Sequence, residues 1–163
     1  MSMNGYLKMI DDHDLEHLES HPSHVEELID QDCAKNEMVD LDKAWAALHF
    51  VIAGDIYPDG DAVLSGALVG EHIVDFDLAY GPPAFLLAEE VQELCTQLQQ
   101  ITEEDLEAAL TSERFAEADI YPFSESGEDP EQIVEYVAPY FEQLKNFYQL
   151  AADKGKGVLI WLM

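Results

Sequence analysis

The chain of 163 residues carries 35 Asp and Glu against 7 Lys and Arg, for a formal net charge of −28 at pH 7, and 48% of its residues are hydrophobic. An apolar content this high in a chain of this length predicts one folded domain, which we place over residues 1–163. The charge excludes direct binding to a nucleic-acid backbone and disfavours anionic membrane surfaces, because both need a cationic face. It attracts a basic protein or a cation, although salt adaptation or selection for solubility would produce the same composition.

The first third of the chain predicts one strand followed by three helices. Residues 4–10 form a mostly apolar run that suits a strand. A short helix follows to about residue 19, a second begins at Pro22, and residues 30–40 are expected to end that helix and connect it onward. The third helix is predicted from an N-cap at Asp40 to a stop at Gly54, with a core stripe of Leu41, Trp45, Leu48 and Ile52.

The middle of the chain is expected to be less regular. Residues 54–62 are rich in turn formers, a run of small residues follows, and residues 72–86 predict irregular structure with one short strand. Two amphipathic helices come next, one over residues 88–101 and one that starts at a capping box formed by Thr102 and Asp105.

The end of the chain predicts a long helix and a final strand. Asp129, Pro130 and Gln132 are typical of a helix start, and this helix is expected to run to about Lys154. Residues 158–163 form an apolar, β-prone run. Strands at both ends with helices between them predict a helix-rich α+β fold, whose small sheet contains the N- and C-terminal strands.

Several segments together resemble the YfbM-like family of small bacterial proteins, whose domain has no assigned function. The opening MSMNGY, the segment LDKAWAALHFVIAG and the pattern DKxWxxLHF within it carry the resemblance most specifically. Further matches follow in order along the chain: LVGEH at 68–72, AYGPPAFLLAEEVQEL at 79–94, IYP at 120–122 and residues 141–163. The resemblance implies a compact α+β domain in a cytoplasmic bacterial protein. Members of such families sometimes accompany secreted toxins, which suggests an immunity protein.

The helix predicted after Asp40 carries three residues of chemical interest on one side. Asp42, Trp45 and His49 fall on the same half of a helical wheel. In a functional interpretation His49 is a general base or a metal ligand oriented by a carboxylate. In a structural interpretation, which the pattern favours, His49 lies at the edge of the core stripe and satisfies its ring nitrogens there.

A second group would complete a catalytic cleft if the two segments pack together. His72 is the natural partner of His49, with Asp42 as the third catalytic candidate. Glu71 and Tyr80, together with Trp45, are the candidate binding residues beside them.

The remaining motifs predict neither a cofactor nor a metal site. Four histidines between residues 13 and 24 include His13 and His17, whose i, i+4 spacing is able to chelate zinc, but Pro22 interrupts the helix, and a solvated edge is the simpler interpretation. Cys33 and Cys95 are predicted to be free thiols of a reducing compartment, in keeping with a cytoplasmic location. No P-loop or dinucleotide fingerprint is present.

Aromatic residues recur on the last predicted helix. They are simplest to interpret as core, with a partner-binding groove as the alternative; they are Tyr136, Tyr140, Phe141, Phe147 and Tyr148.

Two functions from different classes are compatible with these observations. The first is a non-enzymatic, acidic protein-binding module that engages a basic partner, in the manner of an immunity protein. The second is a small enzyme, such as a hydrolase, that uses a His49/His72 cleft. The enzyme requires both rings within about 6 Å and open to solvent, since catalytic groups must reach one substrate. We expect the binding module.

Overall fold

The first and last strands predicted from the sequence are present and pair with each other. The computed structural model describes residues 2–54, 62–123 and 127–163, so most of the turn-rich segment expected at 54–62 lies outside the described residues. Strand β1 (Gly5–Ile10) runs antiparallel to strand β5 (Gly157–Leu162), and Gly5 pairs with Leu162 while Ile10 pairs with Gly157. The two ends of the chain therefore form the centre of the sheet.

Three shorter strands complete the sheet among the described residues. They are β2 (Met38–Asp40), β3 (His72–Ile73) and β4 (Ala84–Leu86), and the antiparallel order is β2-β1-β5-β4-β3. Two expectations are corrected here. The connector over residues 30–40 contains a strand, and residues 72–86 contain two strands rather than one. Segments of two or three residues are too short to show an alternating pattern, so their pairing depends on neighbouring strands.

Helices fill most of the remaining described chain. They are α1 (Asp12–His17), α2 (Val25–Asp30), α3 (Trp45–Ala53), α4 (Ala62–Val69), α5 (Ala88–Leu98), α6 (Glu103–Leu110), α7 (Glu113–Glu117) and α8 (Pro130–Lys154). The capping box at Thr102 is complete, and at the start of α8 the backbone N–H of Asp129 donates to Oε1 of Gln132 at 3.1 Å. The stop at Gly54 is confirmed by its left-handed φ of +79°. Pro22 begins a 3₁₀ turn rather than the α-helix itself.

One face of the sheet carries the larger core. Leu7, Met9, Val158, Ile160 and Leu86 pack there against α3, α4, α5, α6 and α8. Tyr148 of α8 is fully buried in this layer and donates its hydroxyl to the carbonyl of Ala67 at 2.6 Å. Burial raises the pKa of Tyr148 well above its ordinary value, so it stays a neutral donor.

The opposite face is covered by α1, α2 and the chain between β3 and β4. Its core contains Ile10, Leu159, Trp161 and Phe85, together with residues of the two helices. Lys8 of β1 is almost wholly buried. Its Nζ donates to the carbonyls of Leu28 at 2.7 Å, Ile29 at 3.1 Å and Gln31, at the end of α2. All three ammonium donors are thus used to fix α2 to the sheet.

The architecture confirms the predicted helix-rich α+β class and a sheet that contains both terminal strands. Among the described residues, every helix is too short or too polar to cross a membrane.

Candidate functional site

Asp42 is held in an uncommon backbone conformation between β2 and α3. It begins the 3₁₀ turn Asp42–Ala44 with a φ of +48°. Asp tolerates this left-handed region better than most non-glycine residues do. Its backbone N–H donates to Oδ1 of Asp40 at 2.8 Å. The predicted N-cap at Asp40 is corrected here, because Leu41 is the N-cap of this turn and Ala44 is the N-cap of α3. Helix α3 begins only at Trp45, later than the sequence predicts, because the left-handed residue interrupts the helical path.

The carboxylate of Asp42 is oriented by a tyrosine of α8. Tyr136 donates its hydroxyl to Oδ2 of Asp42 at 2.7 Å and accepts the backbone N–H of Lys43 at 3.3 Å. Burial, and then the hydrogen bond to Asp42, raise the pKa of Tyr136 above its ordinary value. Tyr136 consequently remains a neutral donor at physiological pH and keeps the carboxylate in one orientation.

A cleft opens beside this hydrogen bond. Its volume is about 660 Å³, and we name it the aromatic–acidic cleft. Phe123 and Tyr136 supply its aromatic walls, with ring centroids 5.9 Å apart and planes inclined at 67°. The other described residues that line it are Asp42, Lys43, Pro122, Glu128, Gln132 and Glu135.

A second cavity of about 290 Å³ adjoins the cleft and shares Phe123 and Glu128 with it. Its lining includes Glu113 and Asp119, and Asp119 also adopts a left-handed φ, of +51°. Both non-glycine residues with positive φ in the described ranges thus line this one region. Sparsely populated backbone conformations of this kind cluster at ligand-binding sites in proteins.

The charge of the combined region is strongly negative. Among the described lining residues, five carboxylates face one cation, Lys43; they are Asp42, Glu113, Asp119, Glu128 and Glu135. A concave surface lined by one sign of charge concentrates oppositely charged ligands. The region suits a cationic group that also makes aromatic contacts.

Trp45 connects the segments that line this region through hydrogen bonds to the N-terminal chain. Its Nε1 donates to the carbonyl of Met3 at 2.9 Å, and the backbone N–H of Met3 donates to the hydroxyl of Tyr121 at 3.0 Å. Gly5 is required beside Trp45, because a Cβ atom at that position would lie 2.7 Å from the Cβ of Trp45. The segments LDKAW and IYP, which carry part of the family resemblance, therefore meet at the cleft.

His49 and His72 lie on opposite sides of the sheet. His49 belongs to α3, is only 6% exposed, and lies on the side of the larger core. His72 pairs with Phe85 in the β3–β4 ladder, and its ring stacks on that of Phe85 at 4.9 Å, on the other face. The shared His49/His72 cleft expected for an enzyme is therefore not formed. The reason is the strand register, which directs His72 away from the layer that contains α3.

The other predicted site residues are also separated. Asp42 follows β2 at one edge of the sheet. His72 belongs to β3 at the opposite edge, and Glu71 and Tyr80 lie before and after that strand in the sequence. Nε2 of His72 lies 2.8 Å from Oε1 of Glu90, a carboxylate that also accepts the N–H of Leu87 at the start of α5. His72 thus contributes to the start of a helix, and Glu71 is an exposed neighbour.

The histidine run near the N-terminus forms a stack. The rings of His17, His21 and His24 lie with centroids 4.3, 4.9 and 5.2 Å apart in the three pairings. Desolvation, followed by the charges of His21, His24 and His13, lowers the pKa of His17. Within the described ranges, no three His, Cys, Asp or Glu side chains are arranged to hold a metal ion.

Sequence reasoning singled out Asp42 but not the residues that complete its surroundings. The sequence pattern groups Tyr136 with the aromatic residues of α8, of which Phe141, Phe147 and Tyr148 are buried. A usable signal was the position of Tyr136 at the exposed beginning of that stripe, next to Glu135 and Gln132. Phe123 follows the IYP segment directly, and nothing in the local pattern indicates where its ring packs.

Comparison with known proteins places the whole chain in one family. A family model described as "Domain of unknown function (DUF1877)" matches residues 1–161. The chain belongs to the DUF1877 family. This DUF1877 chain also superimposes on the crystal structure of YfbM, a protein of unknown function from Escherichia coli, with a TM-score of 0.76, 22% sequence identity and full coverage of both chains. At this identity the likeness shows the fold alone, and it confirms the YfbM-like prediction. Among curated proteins, none matches this chain.

Proposed function

We propose that the protein is a non-enzymatic binding module that engages a basic protein partner through its acidic surface. The observation that carries this proposal is the charge of the aromatic–acidic cleft and the cavity that adjoins it, which together are lined by five carboxylates and one cation among the described residues. A basic partner is attracted to such a surface and held in register by it.

The rest of the surface supports the same partner class. Two ion pairs between a lysine and a carboxylate join residues of the described ranges, and they link Lys154 with Glu37 and Lys156 with Asp11. The chain thus supplies few cations to its own carboxylates. Much of the negative potential is directed outward, where it steers basic molecules toward the protein.

An immunity-type role is the specific form of this proposal. In that role the module would neutralise a basic toxin by occupying the surface with which the toxin contacts its target. The family resemblance suggests this form, and the acidity supports it.

The alternative function, a small hydrolase, has less support. It needs His49 and His72 in one solvent-filled cleft, whereas His49 is buried in the layer of α3 and His72 lies across the sheet. No observation in the described residues favours it over the binding module.

The proposal is tested by finding a partner and measuring how its affinity depends on salt. The purified protein is immobilised at low ionic strength, bound proteins from its source cells are identified, and the strongest binder is purified for a titration across a salt series. We expect a basic protein whose affinity falls steeply with salt, because exposed charges are screened within about 10 Å at 0.1 M salt. A column that carries an immobilised neutral protein of similar size serves as the control. Recovery of no basic protein, or an affinity indifferent to salt, would contradict the proposal.

A further inference from the structure

We propose that the aromatic–acidic cleft is the anchor site for an arginine side chain of the basic partner. The inference rests on the proposed function and deepens it by naming the group that is recognised and the residues that recognise it. Asp42 and Glu135 are the carboxylates that pair with the guanidinium, and the rings of Tyr136 and Phe123 are the surfaces against which it packs.

One carboxylate of the cleft, that of Asp42, is already oriented. Tyr136 holds Oδ2 of Asp42 at 2.7 Å, while Lys43 supplies its backbone N–H to the same hydroxyl. An oriented carboxylate loses less side-chain entropy when it binds, and it favours a ligand with a matching planar fork of donors. Arginine presents that fork, whereas lysine presents a compact point charge.

Aromatic rings line the cleft beside the carboxylates. The rings of Phe123 and Tyr136 meet edge to face, 5.9 Å between centroids, within the lining of the cleft. A guanidinium stacks on an aromatic face and retains its in-plane hydrogen bonds, so it uses both features of the cleft at once. The protein shows such a contact internally, since the guanidinium of Arg114 lies 5.8 Å from the ring centroid of Phe50.

The volume of the cleft and the charge around it also fit an arginine within a basic segment. A volume of about 660 Å³ accommodates a long side chain with its flanking backbone. The adjoining cavity contributes Glu113 and Asp119, which extend the negative surface along α7 and away from Asp42. A segment with a second basic residue beside the anchoring arginine would fit this extension.

The experiment uses three short peptides, acetyl-Gly-Ser-X-Ser-Gly-amide, in which X is arginine, lysine or citrulline. Each is titrated into the full-length isotope-labelled protein while backbone amide shifts are followed by NMR. We expect the arginine peptide to shift the amides of Asp42, Lys43, Phe123 and Tyr136, and to bind about tenfold more tightly than the citrulline peptide, which lacks the charge. The lysine peptide is expected to bind more weakly than the arginine peptide.

Two pairs of substitutions separate the cleft from the total charge. The double variant Asp42→Asn, Glu135→Gln removes two charges from the cleft, and asparagine keeps an acceptor for Tyr136 and tolerates positive φ. The control Glu26→Gln, Glu27→Gln removes two charges from exposed positions of α2. We expect about a tenfold loss of arginine-peptide affinity in the first and less than about a twofold change in the second. Glu135→Gln alone serves as the test if the cleft double variant unfolds.

Several results would overturn the proposal. The citrulline or the lysine peptide could bind as tightly as the arginine peptide does. The amide shifts could be confined to surfaces away from the cleft. Both double variants could lose the same amount of affinity for the arginine peptide. The proposed function fails separately from this anchor. A basic partner whose salt-dependent affinity is unchanged by the cleft variants would leave the function standing and remove the anchor. Arginine binding in the cleft without any basic protein partner would do the reverse.

Discussion

Two acid-rich regions of this protein differ in what lies beneath their carboxylates. The aromatic–acidic cleft places Asp42 and Glu135 beside two aromatic rings, and one of its carboxylates has a fixed hydrogen-bond donor. The surface of α1 and α2 forms an open groove of about 640 Å³ lined by Asp14, Glu26, Glu27 and Asp30. Those carboxylates are exposed, and the ring-lined wall of the cleft has no counterpart among the described residues of the groove.

The difference shows that two surfaces with similar charge can differ in how selectively they bind cations. Exposed carboxylates on a short helix attract any cation and are screened by salt. Carboxylates held beside aromatic rings discriminate among cations by shape. Under the proposed function, the cleft would recognise the partner, while the α1–α2 groove would contribute to solubility and steering. Each region also depends on one internal contact, Tyr136 to Asp42 in the first and Lys8 to the end of α2 in the second.

The largest effect is expected from Lys8→Met, which removes the support of the α1–α2 groove. Three carbonyls at the end of α2 lose their charged donor, and buried hydrogen bonds to charged groups are individually valuable, so we expect a loss of about 3 kcal/mol or more in the free energy of unfolding. Urea denaturation measures this change. Lys156→Met is the control, since it removes only a surface ion pair with Asp11 and should cost less than about 1 kcal/mol. Equal losses in the two variants would show that Lys8 does not hold α2.

The next effect is expected from Tyr136→Phe, which removes the donor that orients Asp42. The substitution leaves the Asp42 carboxylate and the Lys43 N–H without this partner, so we expect a loss of about 1–2 kcal/mol in the free energy of unfolding. The same denaturation experiment on Tyr80→Phe is the control, because within the described ranges the Tyr80 hydroxyl makes no hydrogen bond. No difference between the variants would mean that the cleft is not organised by this contact.

Alkaline pH offers a further way to probe the cleft. Burial is the main cause that raises the pKa of Tyr136 and Tyr140, and the charge or hydrogen bonding of Asp42 adds to both. The unfolded chain therefore loses these protons first, near the ordinary phenol pKa of about 10, and stability should fall as pH rises above that value. A tyrosinate absorbance titration of the folded protein should show late-ionising groups, fewer of them in Tyr136→Phe. Ionisation of all seven tyrosines together near the ordinary value would contradict this account.

The smallest effect is expected in the α1–α2 region at acid pH. Since the pKa of His17 is lowered in the folded state, the unfolded chain takes up this proton first as pH falls. The associated stability is present above the ordinary histidine pKa of about 6.5 and is lost as pH falls below it toward the folded value. NMR titration should place His17 below that ordinary value, and His21→Ala should raise it. A His17 that titrates at or above 6.5 would show that the ring stack does not form in solution.

Local signals account for the parts of the fold that the sequence predicts. Both terminal strands are six-residue runs that are apolar except for Lys8 in β1, and the start signals at Thr102 and Asp129 each span only four residues. The short strand β2 lacks such a signal, because its pairing comes from β1. Helix α7 has a local start signal, since Ser112 accepts the N–H of Phe115 at 3.2 Å, but five residues are too few to show a helical period. The left-handed turn at Asp42 likewise leaves no periodic mark.

The site was harder to predict because its contacts are distant in sequence. The sequence identifies Asp42 as an acid on a predicted amphipathic helix, yet its hydrogen-bond partner Tyr136 lies 94 positions away. His49 and His72 were grouped by residue type, and only the register that pairs His72 with Phe85 shows that they lie on different faces. Residue chemistry identified one member of the cleft, and the tertiary structure supplied the others.

The affinity of an arginine-rich probe for the two charge-matched double variants tests the central claim most directly. An octapeptide of alternating glycine and arginine is titrated calorimetrically at fixed salt into the unsubstituted protein, into Asp42→Asn, Glu135→Gln and into Glu26→Gln, Glu27→Gln. We predict that the cleft variant binds about tenfold more weakly, while the α2 variant stays within about twofold of the unsubstituted protein. Equal weakening of both variants would contradict it, because net charge alone would then explain the binding.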